Sequence, residues 1–258
     1  MGRFEKVEKA RDLKRPNIYD YINNIFDDFI ELKGDRCGGD DSAIIGGIAF
    51  LNNQPVTIVG HLKGHDLNSN LKVNFGMGSP SGYRKALRLM QQANKFNRPI
   101  ISFIDTPGAY PGVESEQKGI GEAIAKCIED SFNYTVPKIS IIIGEGGSGG
   151  ALGFGVSDQV VMLENAVYSI LSPEGFAAIL FKDKDGSRKE EAAELMKLTA
   201  LDLFEQGIID KIIPEGDLNS NNFVYDKIGN HLTQEIQTLS RLDKKTLLHN
   251  RYERFRKY

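Results

Sequence analysis

The apolar positions of the chain recur with two periods. Ile18, Tyr21, Ile22, Ile25, Phe26, Phe29 and Ile30 follow helical spacing, which predicts a helix that Gly34 ends. AIIGGIAF and PVTIVG flank LNNQ and predict a β-hairpin. Residues 80–97 place Tyr83, Ala86, Leu87, Met90, Ala93 and Phe96 on one side of a helix. A rhythm then sets in. RPIISFIDTPGAYPG reads as a buried strand entering a glycine-proline turn, and SEQKGIGEAIAKCIEDSFN as a helix. VPKISIIIGEGGSGG reads as a strand entering a second glycine turn, and GGALGFGVS as a short helix. QVVMLEN and AVYSILSPEG supply further strand, and Ser172-Pro173-Glu174 carries the chemistry of a helix start. Ser187-Arg188-Lys189-Glu190 offers a capping box, GIIDKIIPE a late strand, and residues 221–258 a helical end.

The fold class is α/β, with strands whose C-terminal ends carry loops and helix starts. We expect one domain over residues 1–258, with an N-terminal helical segment (1–34), a core (35–213) and C-terminal helices (214–258). Composition adds little to that picture. A 40% hydrophobic and 26% charged content is that of a soluble globular chain, and a net charge of −3 gives no reason for nucleic-acid binding across the surface. The polar segment from Met1 resembles neither a signal peptide nor an anchor, and no apolar run is long enough to span a bilayer, so a cytoplasmic chain without membrane contact is expected. Cys37 and Cys127 lie far apart without neighbouring histidines, which argues against a disulfide framework or a zinc site.

The chemistry concentrates in the two glycine turns. Five glycines fall within residues 144–150, each costing roughly 0.5–1 kcal/mol relative to alanine in a regular element, so the backbone there must be closely approached. Gly144-x-Gly146-x-x-Gly149 fits a dinucleotide fingerprint, but the helix after it is too short for a βαβ unit. A Walker loop is excluded because no Lys-Ser/Thr pair closes the run. Gly146-x-Ser148-x-Gly150 fits a nucleophile elbow and leaves open a serine hydrolase in which Ser148 works with His61 and Asp105. A further reading takes Gly149 and Gly150, at the start of the short helix, as N–H donors to a developing oxyanion. DTPGAYPG, with Gly108 and Gly112, supplies a second wall. Neither turn holds a paired carboxylate set, a metal cluster or a reactive cysteine, so such a site works by positioning and backbone electrostatics. Arg84, Lys85 and Arg88 read as a solvated helix face or an anion contact, and the basic RYERFRKY as the end of a helix or an RNA contact.

GDRCGGDDSAIIGGIAFLNNQPVTIVGHLKG, NFGMGSPSGYRKALRLM, FIDTPGAYPG, IIIGEGGSGGALGFG, MLENAVYSILSPEGFAAIL and RYERFRKY together resemble the α subunits of the bacterial acetyl-CoA carboxylase carboxyltransferase, in order and from about Arg15 onward. The resemblance implies a crotonase-type fold of repeated ββα units. It implies transfer of a carboxyl group to acetyl-CoA from biotin held covalently on the separate biotin carboxyl carrier protein, giving malonyl-CoA for fatty acid biosynthesis. It implies an obligate β subunit with a zinc ribbon in an α2β2 assembly, with no metal in this chain, and ATP consumed by the separate biotin carboxylase component. By residue matching, Gly149 and Gly150 would donate to the biotin urea oxygen, and Gly108, Ala109, Gly146 and Gly147 would line the substrate. Ser81, Ser115, Gln117 and Ile120 depart from the common pattern, on what we expect to be surface after the DTPGAYPG turn.

Overall fold

The computed structural model describes residues 2–183, 185–216 and 222–257. Among them, eight strands form one sheet: β1 (Asp27–Glu31), β2 (Ile44–Leu51), β3 (Gln54–His61), β4 (Ile100–Thr106), β5 (Lys138–Gly147), β6 (Gln159–Leu163), β7 (Val167–Ser169) and β8 (Lys211–Ile213). The order is β1-β2-β3-β4-β5-β6-β8, with β7 alongside β5. β1, β2 and β3 pair antiparallel, and every pairing from β3 to β8 is parallel.

The hairpin β2–β3 turns through Asn52 and Asn53 at φ +49° and +64°, the paired positive φ values of a turn whose twist matches its strands. Each parallel pairing needs a crossover, and Pro80–Lys95, Ile120–Asn133 and Ser148–Gly155 supply the last helix of three of them. β4 is buried at all seven positions, as a strand covered on both faces must be. Parallel pairing also brings the C-terminal ends of β3, β4 and β5 to one edge, where open α/β sheets form their ligand crevices.

Three local expectations change. The first helix is only Ile18–Ile25; Phe26 turns extended (φ −120°, ψ 154°), and Phe29 and Ile30 belong to edge strand β1, where pairing with β2 replaces the helical ladder. The SEQKGIGEAIA segment breaks into Val113–Gln117 and Ile120–Asn133 at Gly119, whose φ of +77° is left-handed. Ser187 forms no capping box: Arg188 is the N-cap of Lys189–Met196 without a side-chain bond, and the Arg188 N–H donates to Asp183 instead. The C-terminal helices are Asn222–Ser240 and Lys244–Phe255. Within RYERFRKY two arginines turn inward: buried Arg251 and part-buried Arg254 bond carbonyls and carboxylates of this same chain.

Candidate active site at two touching glycine turns

β4 and β5 each end in a glycine turn, and the turns touch through backbone atoms. A Cβ on Gly147 would collide with the carbonyl of Pro107. One on Gly150 would lie 2.6 Å from the carbonyl carbon of Gly108, 2.7 Å from Ala109 N and 2.9 Å from the Tyr83 hydroxyl. Gly146 has the Tyr168 ring 2.9 Å from its missing Cβ, and Gly144 is filled by the Asp105 carboxylate. At these positions the glycines make room for the neighbouring turn and for the side chains packed on it.

Ser148–Gly155 begins with Gly147 as N-cap and no side chain capping it. First-turn amides have no intrahelical acceptor, so Gly149 and Gly150 carry outward N–H groups at the positive end of a helix dipole. Gly149 borders a cavity of about 680 Å³ whose lining includes Leu152, Tyr168, Ile170, Phe176 and Met196. Ile170 and Leu195 are exposed apolar residues of that wall, and Ile179, Leu180, Leu201 and Phe204 are exposed as well. In the second turn, the Gly108 N–H donates to Thr106 Oγ1 at 3.1 Å, and that hydroxyl donates to Gly108 O at 2.6 Å. The Gly108 amide is thus engaged within its own turn.

Beneath the helix start lies an aromatic layer. His61 is fully buried, 4.8 Å from the Phe154 ring between centroids, with Nε2 3.5 Å from the Tyr83 hydroxyl. Burial above all, then the charge of Lys63, pushes its pKa down to about 3. An unfolded histidine titrates near 6.5. Between pH 6.5 and 3 the unfolded chain therefore binds a proton that the native chain refuses, so stability is full above 6.5 and falls as pH drops through that window. His61→Phe should remove about 2 kcal/mol of the stability difference between pH 7 and pH 5, read from urea midpoints at the two values. An unchanged difference would show that His61 is not the titrating group.

A charge network absent from the sequence reading ties the two turns together. Lys63, just past β3, places Nζ 2.8 Å from Asp105 Oδ1 and 2.8 Å from Glu145 Oε2. Asp105 Oδ1 also accepts the Glu145 N–H at 2.9 Å. Arg11 bridges Glu145 and Glu174 at 2.7 and 2.8 Å. Burial alone would lower Lys63 and raise Glu145, but their opposite charges outweigh it: Lys63 is raised and Glu145 lowered. Neither turn holds a carboxylate pair of its own, but Asp105 from one and Glu145 from the other are brought together and bridged by a single ammonium, with Arg11 supplying the second positive charge. Apolar strands ending in Asp105 and Glu145, with a lysine two residues past β3, were the available signal.

The hydrolase reading fails on geometry. Ser148 has the positive φ, +50°, of an elbow serine. Yet His61 is enclosed under Gly150 and faces Tyr83, while the Asp105 carboxylate is taken by Lys63 and the Glu145 amide. Among the described residues Ser148 has no histidine partner. Among the basic helix residues Lys85 departs from the solvated-face reading, being buried with Nζ 2.6 Å from Asp40 and 2.7 Å from Asp41 O, while part-exposed Arg88 and Arg84 bond the carbonyls of Gly34 and Lys118. Ser115 and Ile120 are buried rather than surface residues, and Ser81 and Ser115 line one cleft. The described residues hold no cluster of three or more His, Cys, Asp or Glu that would bind a metal ion, and no helix long and apolar enough to cross a membrane.

In fold, the chain is of the crotonase type. It superposes on the transcarboxylase 12S core with a TM-score of 0.70 at 24% identity, over 88% of this chain and 44% of that one. On a Pseudomonas malonate decarboxylase hetero-tetramer structure the TM-score is 0.68 at 16% identity, over 83% and 85%. More narrowly, the chain belongs to the acetyl co-enzyme A carboxylase carboxyltransferase-like family, whose model matches residues 1–258. It is 56% identical over 256 residues to the acetyl-coenzyme A carboxylase carboxyl transferase subunit alpha of Clostridium acetobutylicum, covering 98% of this chain and 93% of that one. It is also 56% identical over 254 residues to a Clostridium tetani protein named as subunits beta/alpha, of which it covers 44%.

Proposed function

We propose that the chain is the carboxybiotin-side half of an acetyl-CoA carboxyltransferase, with Gly149 and Gly150 as its catalytic donors. The observation that carries this reading is an uncapped helix start at which Gly149 borders a large cavity while Gly150, buried beside it, is seated against a second glycine turn. The cavity fits a bulky ring system: one side is apolar, and Gly149, a donor without a side chain, stands at its edge. Carboxybiotin, presented there by the biotin carboxyl carrier protein, supplies the carboxyl group and leaves negative charge on its urea oxygen. The amides of Gly149 and Gly150 meet that charge without reorganising, and each such donor is worth ~10²–10³ in rate. Gly146 and Gly147 let the strand end seat against Tyr168 and the Pro107 carbonyl, and Ala109 N, beside Gly150, extends the wall, with Gly108 shaping the turn.

The remaining apolar surface supports a β subunit as the partner that closes the cavity over acetyl-CoA. A single Clostridium tetani chain named for both subunits is consistent with the two acting side by side. We place the zinc ribbon, the rest of the α2β2 assembly, biotin carboxylase and its ATP chemistry outside this chain, and its site of action in the cytoplasm.

The test is biocytin-dependent decarboxylation of malonyl-CoA by this chain, by a carboxyltransferase β subunit, and by the two mixed. Turnover is expected in the mixture alone, and Ser148→Ala should keep its rate, whereas loss of a true serine nucleophile costs on the order of 10⁶. No turnover from an assembled complex would overturn the proposal, and collapse in Ser148→Ala would restore the hydrolase.

A further inference from the structure

We propose that Lys63 is a positioning residue for the transfer reaction, clasping the carboxylates that precede the two glycine turns and so setting the separation of the turns. The inference rests on the carboxyltransferase reading.

The backbone ladder does not do this job. β4 and β5 pair regularly as far as Ile104↔Ile142, and pairing resumes only at Thr106↔Gly146. Three residues of β5 (143–145) therefore stand opposite Asp105 alone, just before the turns begin. The gap is filled from the side. The Asp105 carboxylate occupies the space over Gly144 and accepts the Glu145 N–H, and Lys63 holds that carboxylate and the Glu145 carboxylate at once. Lys63 reaches this point from the end of β3, across β4 to β5, so one ammonium spans three neighbouring strand ends.

Immediately beyond the clasp the turns touch at Gly147 on Pro107 and Gly150 on Gly108 and Ala109. A shift at the clasp is passed to the amides of Gly149 and Gly150, because no side chain in those contacts can absorb it. Only 16% of the Lys63 side chain is exposed, and Lys63 does not line the cavity beside Gly149, so its contribution comes through the turns. Arg11 holds the outer oxygen of Glu145 and leaves the inner one to Lys63.

A purely structural salt bridge predicts something different. Replacing a buried ionic cluster by neutral groups of similar shape is often without cost in stability. Lys63→Met combined with Asp105→Asn and Glu145→Gln removes the clasp without stranding a charge, and Lys63→Arg retains a cation able to bridge both carboxylates. The experiment measures kcat and KM for malonyl-CoA in the assembled complex, the unfolding midpoint, and hydrogen exchange of residues 106–109 and 146–150 in the isolated chain. For the neutral triple variant we expect a wild-type midpoint, kcat lower by roughly 10²-fold with KM changed less than about threefold, and faster exchange at both turns. Lys63→Arg should recover most of the rate. Wild-type kcat and exchange in the triple variant would overturn the clasp, as would a loss of activity that only follows loss of folding. An inactive wild-type complex together with faster exchange in the variant would instead count against the carboxyltransferase reading and leave the clasp standing.

Discussion

Gly150→Ala is expected to lower carboxyl-transfer turnover by ~10²–10³-fold in a complex that still assembles, the cost of losing one oxyanion donor. The added methyl would sit 2.6 Å from the Gly108 carbonyl carbon and 2.7 Å from Ala109 N. Backbone cannot swing aside as the end of a flexible side chain does, so the helix start and its amides must move. The stability cost should be about 1–3 kcal/mol, the usual range for overpacking. Gly149→Ala is the control: its methyl meets only Ile124 Cδ1 at 3.8 Å, an ordinary contact, and the amide remains. It should retain most of its rate. Steady-state kinetics with sedimentation of each complex gives the comparison, and a wild-type rate for Gly150→Ala would remove the donors from Gly150.

Arg251→Met is expected to cost 3–5 kcal/mol, the range for breaking a buried ion pair from one side. The Arg251 side chain has no exposed surface and bonds both Asp158 oxygens at 2.8 and 2.7 Å. It also donates to the carbonyls of Ser131, in the last turn of the helix Ile120–Asn133, and of Tyr134 and Val136, which lead from that helix into β5. Adding Asp158→Asn should recover part of the loss, since the stranded charge then disappears. Urea unfolding of the two variants decides this, and a loss below about 1 kcal/mol would mean that water reaches the pair.

The parallel core was legible because its signals are local. Apolar strands ending in DTPGAYPG and in GEGGSGG announce themselves within fifteen residues, and the Asn52–Asn53 turn fixes its own hairpin. Gly150 was legible for the same reason, since crowding of glycines implies close approach. What it approaches was not: the Gly108–Ala109 peptide lies about forty residues away in the chain. Lys63 was illegible as a functional residue, because its role exists only when three strand ends adjoin. Lys85 misled for a related reason. With Arg84 and Arg88 it looks like part of a solvated face, and only the fold brings Asp40 and the Asp41 carbonyl over it. Phe29 and Ile30 kept helical spacing into an edge strand, where pairing outweighs periodicity.

The meeting of the two turns through main-chain atoms alone bears on how the site can change. Main-chain amides are the same whatever the codon, so substitution cannot retune them, and at Gly147 and Gly150 any side chain breaks the contact. A small molecule that gripped only those amides would face few escape mutations at its point of attachment. Resistance would have to arise from the cavity wall, at residues such as Ile170 or Leu195, where side chains do face outward.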